Sequence, residues 1–216
     1  MSAAFSIDLT DAETFPSRRN EAWRYSDLKR YLREAPQPSP SAAVGRPGPF
    51  YDLGGEAIVF VNGRAVGVTD FIASGQQTLR LRYVSDATGT GHTAGARVSA
   101  RAGARLLLLE SHEGAGSAYA AHNTLELDVA AGAEVTRVVL VEEPEDAISV
   151  AEAHVKVEAG GVYRQTVIAT GAQLQRIETR ITHFAQGAQV QACLLYTSDA
   201  ADEGLGADLG GRRLIP

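Results

Sequence analysis

The chain has 216 residues and a mass of 22.8 kDa, with 44% apolar and 21% charged residues, enough apolar material for one packed domain with a small appendage. Twenty basic side chains against 26 acidic ones give a net charge of −6, so the chain offers no overall basic field for nucleic acid. A single cysteine, Cys193, excludes a disulfide framework or a multi-cysteine zinc site within one chain. No apolar run reaches the roughly 20 residues of a membrane helix, and the charged first thirty residues lack a signal core. The expectation is a cytoplasmic protein. Arginine outnumbers lysine eighteen to two (Lys29, Lys156), a bias that points to a GC-rich coding sequence rather than to chemistry.

Residues 1–45 read as a helical region followed by a Pro-rich linker. Asp11 and Ser26 are candidate N-caps, and Leu28, Tyr31 and Leu32 share one helical face. The run Pro36-Gln37-Pro38-Ser39-Pro40-Ser41 stops any helix, because proline removes donors and biases its predecessor away from αR. Residues 46–95 read as a hairpin and a connecting segment. Asn62-Gly63 between the apolar runs 57–61 and 64–68 is a strong hairpin signal, and Gly89 to Gly95 reads as a Gly-rich loop.

From residue 96 to 192 the chain repeats. Four small-Gly-small turns, at Gly103, Gly132, Gly160 and Gly187, are 29, 28 and 27 residues apart and flanked by alternating segments. Three residues before each glycine stand Ala100, Val129, Val157 and Phe184; three after stand Leu106, Val135, Tyr163 and Val190. Position −4 is polar, with Ser99, Asp128, Lys156 and His183. A strand repeat of this length predicts a mainly β fold with a parallel β-helix core, each coil burying its inner face against the next. A sandwich of hairpins also fits turn signals at this spacing.

The alternation breaks at Cys193. Residues 193–202 back-translate without forcing to TGT CTC TTA TAC ACA TCT GAC GCT GCC GAC, and 208–213 to GAT CTC GGT GGT CGC CGT; both resemble adapters of sequencing libraries. Residues 193–216 therefore read as a non-native tail on a C-terminally truncated chain, to be excluded from fold reasoning; the other reading is an ordinary divergent tail.

Chemistry-bearing motifs are sparse. There is no G-x-x-x-x-G-K-S/T loop, and no G-x-G-x-x-G follows a strand. His92, His112, His122, His154 and His183 are scattered and read as solvated or hydrogen-bonded residues. In Ser111-His112-Glu113 neighbouring side chains point to opposite faces of a strand, which is not a triad. Glu126 and Asp128 place two carboxylates on one outer face, the single hint of glycoside chemistry. Glu142, Glu143, Glu145 and Asp146 read as a solvated turn, and Leu106 to Leu109 as a buried strand. In the run Arg18 to Tyr25, Trp23 and Tyr25 read as core anchors with snorkelling arginines rather than as a nucleic-acid stack. No catalytic, cofactor-binding or metal-binding residue is assigned.

The same N-terminal run, Phe15 to Leu28, has the form P-x-R-x-x-E-x-W-x-Y-x-x-L on Pro16, Arg18, Glu21, Trp23, Tyr25 and Leu28. It resembles the signature of the SufD family, subunits of the SUF iron–sulfur cluster assembly machinery, and Ile58 to Arg64 is similar to the short hairpin that precedes the family's core. The sister family SufB shares the core but is less similar at this N-terminus. The resemblance implies a right-handed parallel β-helix preceded by a small helical N-terminal region and a hairpin. It implies a non-catalytic scaffold subunit that pairs with SufB through the β-helix and with the ATPase SufC through a C-terminal region. It further implies a transient iron–sulfur cluster in the full complex, with no cofactor bound by this fragment alone. The family's functional histidine and SufC-docking helices lie beyond residue 192, so none is carried over. Other readings of the same residues are a β-helix carbohydrate-active enzyme and a generic protein-interaction solenoid.

Overall fold

The computed structural model describes residues 7–183 and 187–196. Two parallel sheets face one another, and the chain passes from one to the other at each corner. One sheet contains β1 (Glu56–Val61), β2 (Arg64–Ala65), β4 (Gln76–Ser85), β6 (Arg105–Gly114), β8 (Glu134–Glu142), β10 (Val162–Thr170) and β12 (Gln189–Tyr196), in the order β12-β10-β8-β6-β4-β1-β2. The other contains β3 (Asp70–Ala73), β5 (Gly91–Ala100), β7 (Ala120–Val129), β9 (Ile148–Val157) and β11 (Leu174–His183), in the order β11-β9-β7-β5-β3. Every pairing is parallel except β1 with β2. This is a β-solenoid, not a sandwich of hairpins.

The period-two alternation builds it. Ala100, Val129 and Val157 lie side by side on the inner face of one sheet, and Leu106, Val135 and Tyr163 on that of the other, all almost fully buried. Ala94, Ala96 and Ala100 of β5 share one buried cluster with leucines of β4 and β6, so small and large side chains together fill the interior. The four repeat glycines occupy the corners with φ between +65° and +83°, the left-handed region a tight corner requires.

Three expectations change. The solenoid begins at β1 rather than at residue 96: the Asn62-Gly63 hairpin forms, with both turn residues at positive φ, but β1 also pairs in parallel with β4. Gly91 to Gly95 are strand rather than loop, because Ala94, Ala96 and Val98 need the inner face. The fourth repeat is out of step. The corner between β10 and β11 has three residues where that between β8 and β9 has five, and the register of β11 on β9 drops to 26 residues. His183 therefore pairs with Val157 instead of with Lys156, while Phe184 lies outside the described residues.

The N-terminal region is helical only in single turns: Ala12–Thr14 and Glu21–Trp23 as 3-10 turns, and α1 (Leu28–Tyr31). Its conformation is set by docking. Ile7, Leu9, Phe15, Trp23 and Leu28 pack on Ala120, Ile148, Val150 and Leu174 at the outer face of the β5–β11 sheet. Asp11 caps its turn by accepting from the Glu13 amide at 3.0 Å, whereas Ser26 does not cap and instead accepts from Arg176 Nη1 at 2.8 Å. The Pro-rich run is docked too, since Ser39 donates its amide to the Gly91 carbonyl and Gly91 returns one to Gln37. Residues 193–196 continue β12 alongside β10, and 197–216 lie outside the described residues.

Candidate functional site

Three places carry chemistry: the solenoid interior, the cleft beside the Pro-rich run, and the surface of the N-terminal segment. In the interior, the alternation that points Leu106 and Leu108 inward also points Glu110 and His112 inward, and on β8 it points Arg137 inward between Val135 and Val139. Arg137 donates through Nε to Glu110 Oε2 at 2.8 Å and through Nη2 to Glu110 Oε1 at 2.9 Å, a two-pronged pair that is 2% exposed on both sides. His112 Nε2 lies 2.8 Å from Glu110 Oε1, and Asn123 Nδ2 lies 3.2 Å from His112 Nδ1, so both ring nitrogens are engaged. Burial pushes the Glu110 carboxyl upward, but Arg137 and His112 outweigh it and hold the group at about 2. Beyond Arg137, Gln165 Oε1 accepts from Arg137 Nη1, Tyr163 Oη and Thr179 Oγ1 at 2.9, 2.6 and 3.0 Å. Tyr83 stacks on His112 with centroids 4.9 Å apart and donates to the Thr124 carbonyl.

This network is satisfied, and its carboxylate is matched by the guanidinium beside it. It fixes how adjacent coils mesh; it presents no nucleophile and no basic lone pair toward a ligand. Sequence reasoning missed it, although the signal was available in the parity of β6 and β8.

A cleft of about 570 Å³ lies where the N-terminal segment, the Pro-rich run and the hairpin turn meet β5, and both Ser39 and His92 line it. Ser39 Oγ lies 3.0 Å from His92 Nδ1, and Ser85 Oγ lies 3.0 Å from His92 Nε2. The pair has the look of a serine–histidine dyad. Burial and the Arg64 guanidinium, however, pull the imidazole from 6.5 down to about 4. A general base works best near the ambient pH, so a group this weak does not activate a hydroxyl. His92 instead ties the Pro-rich run to the solenoid.

The remaining sequence candidates separate cleanly. Ser111 and Glu113 share the outer face, where Ser111 Oγ donates to Glu113 and Arg82 grips the same carboxylate with two bonds of 2.8 Å; His112 is on the other side of the strand. His122 donates from Nε2 to Glu152 at 2.9 Å, His154 is exposed opposite Arg180, and His183 is exposed. Glu126 and Asp128 are exposed, and each faces a cation one coil away, Arg97 at 2.9 Å and Lys156 at 3.9 Å. Within the acidic turn, Glu143 is buried rather than solvated. It accepts from Tyr119 Oη and Ser149 Oγ, and burial raises it to about 7. Among the described residues, no three side chains of His, Cys, Asp or Glu converge as a metal-ligand set. Cys193 is free and exposed on β12.

The signature residues divide into two sets. Pro16, Trp23 and Leu28 are buried, and the Arg176 guanidinium of β11 lies 4.1 Å above the Trp23 ring. Arg18, Glu21 and Tyr25 are exposed; Tyr25, expected in the core, is 85% accessible because the turn that buries Trp23 directs its second neighbour outward. Searches of the curated proteins and of the solved structures return no match to this chain. The model for "SUF system FeS cluster assembly, SufBD core domain" matches residues 83–203, which takes in β5 to β12 and the last three residues of β4. The described part of that stretch is parallel solenoid, and the match spans more than half of the chain: the chain belongs to the SufBD core family of SUF iron–sulfur cluster assembly proteins.

Proposed function

We propose that this chain is the SufD-like member of the assembly machinery, a scaffold subunit that works with SufB and the ATPase SufC. The observation that carries the reading is the N-terminal signature. Trp23 and Leu28 anchor the segment on β7, β9 and β11, so the motif and the core form one packed unit rather than an accidental juxtaposition. SufB is less similar at this N-terminus, which favours SufD over its sister. Parallel strands leave the outermost coil with unpaired amides and carbonyls along β11 and β12 within the described residues, and such an edge suits pairing with a second solenoid. The sequence has no P-loop, so nucleotide hydrolysis is assigned to SufC. The iron–sulfur cluster is cargo built by the complex rather than a resident cofactor of this chain, and the cytoplasm is the compartment.

The test is co-expression of this protein with SufB and SufC and purification through a tag on SufC. The untagged product is expected to elute with both. Its absence from a SufB–SufC eluate contradicts the assignment.

A further inference from the structure

Residues 18–33 carry six of the chain's twenty basic side chains, Arg18, Arg19, Arg24, Lys29, Arg30 and Arg33, against two acidic ones, Glu21 and Asp27. The rest of the chain holds 14 basic and 24 acidic side chains, a net charge of −10 beside a segment of +4. All six basic residues are exposed. Lys29 has a partner, Glu13 at 3.7 Å, but none of the five arginines forms a side-chain hydrogen bond or ion pair among the described residues. The solenoid treats arginine differently. Of its eleven described arginines, all but Arg46 and Arg101 donate to a side chain or carbonyl or pair with a carboxylate.

Two tyrosines stand among these free guanidinium groups. Tyr25 is 85% exposed with Arg24 at 5.7 Å from its ring, and Tyr31 is 38% exposed with Arg30 at 5.7 Å. The segment is held in place from beneath by Trp23 and Leu28, both fully buried, so its outer side chains project from a fixed backbone. Exposed tyrosine and unpaired arginine on a preorganised backbone are the composition of a protein-binding hot spot.

We infer that the outer face of residues 18–33 is a docking surface for an acidic patch on a partner protein. Charge complementarity selects the partner's sign. The extent of the surface selects its class: a nucleic acid or an anionic membrane that reached beyond the segment would meet the net negative remainder of the chain. Exposed Glu21, between Arg19 and Arg24, and Glu13 and Glu34 on either side of the segment also oppose a continuous row of phosphates, whereas carboxylates on a folded partner can be spaced around them. The inference stands apart from the assembly role, because a scaffold of another kind could present the same surface.

Binding of a fluorescein-labelled polyglutamate peptide to the full chain, followed by anisotropy at low salt, tests it. The R18E/R19E/R24E variant is expected to weaken binding by about tenfold, and R97E/R101E/R105E, with the same change in net charge on the solenoid, by less than about twofold. Tyr25→Ala with Tyr31→Ala, which leaves charge untouched, is expected to weaken it by about threefold. Equal losses in the two charge-reversal variants would overturn the inference, since binding would then follow net charge alone. So would tighter binding to single-stranded DNA of equal formal charge, or to phosphatidylcholine vesicles containing phosphatidylserine. Unchanged thermal melting of each variant shows that the losses report the surface and not the fold.

Discussion

Glu110 and Arg137 are 27 residues apart in sequence and share the driest place in the molecule. Two ions of opposite sign survive there because each donor and acceptor is used; one without the other is an uncompensated buried charge. Arg137→Met alone is expected to destabilise by about 3–5 kcal/mol, and Glu110→Leu alone by a similar amount. The double variant is expected to recover most of that loss, read as midpoints of urea denaturation, since an apolar pair fits an interior otherwise lined by Leu, Val and Ala. Additive losses would mean that the two side chains act independently. His92 and Glu143 give the molecule two titrations of opposite sign. The folded pKa of His92, about 4, lies below its ordinary 6.5, so the folded state binds fewer protons in that window and stability falls as pH drops through it. The folded pKa of Glu143, about 7, lies above 4.5, so the folded state binds more protons there and stability falls as pH rises through that range. Melting temperatures measured across pH 4–7 are expected to flatten on the acid side in His92→Gln and on the neutral side in Glu143→Gln. Curves parallel to the parent's would contradict both assignments.

At the scale of elements, the corners decide the register. Gly132 sits at φ +66° with open space around the position of a Cβ, whereas Gly171, at φ +79°, would drive one into the Glu143 carbonyl oxygen. Gly132→Ala is therefore expected to lower stability by about 1 kcal/mol through backbone strain alone. Gly171→Ala should lower it by several times more, because the three-residue corner between β10 and β11 has no room to relax. Equal melting temperatures for the two variants would mean that the tight corner is not what sets the fourth coil. The repeat glycines and the alternation around them made this architecture readable before any coordinates, as did Asn62-Gly63. What escaped reading has physical causes. The shortened corner at Gly171 and Ala172 shifts the register without leaving a repeat to count, and inward-facing Glu110, His112 and Arg137 look like surface residues until strand parity is traced across coils. The N-terminal segment carries helix-cap residues whose local preferences are overridden by the docking of Phe15, Trp23 and Leu28.

For the whole molecule, shape follows from stacking. Each coil stacks on the next, the N-terminal segment covers part of one outer face, and β11 and β12 end the two sheets among the described residues. The solenoid is the core of a family that serves SUF iron–sulfur cluster assembly. The most direct test is the iron and acid-labile sulfide retained by a reconstituted SufB–SufC assembly, with and without this protein. The account predicts a severalfold rise when the protein is present and co-elutes. Equal cluster content in the two preparations, with this protein in the complex, would contradict it.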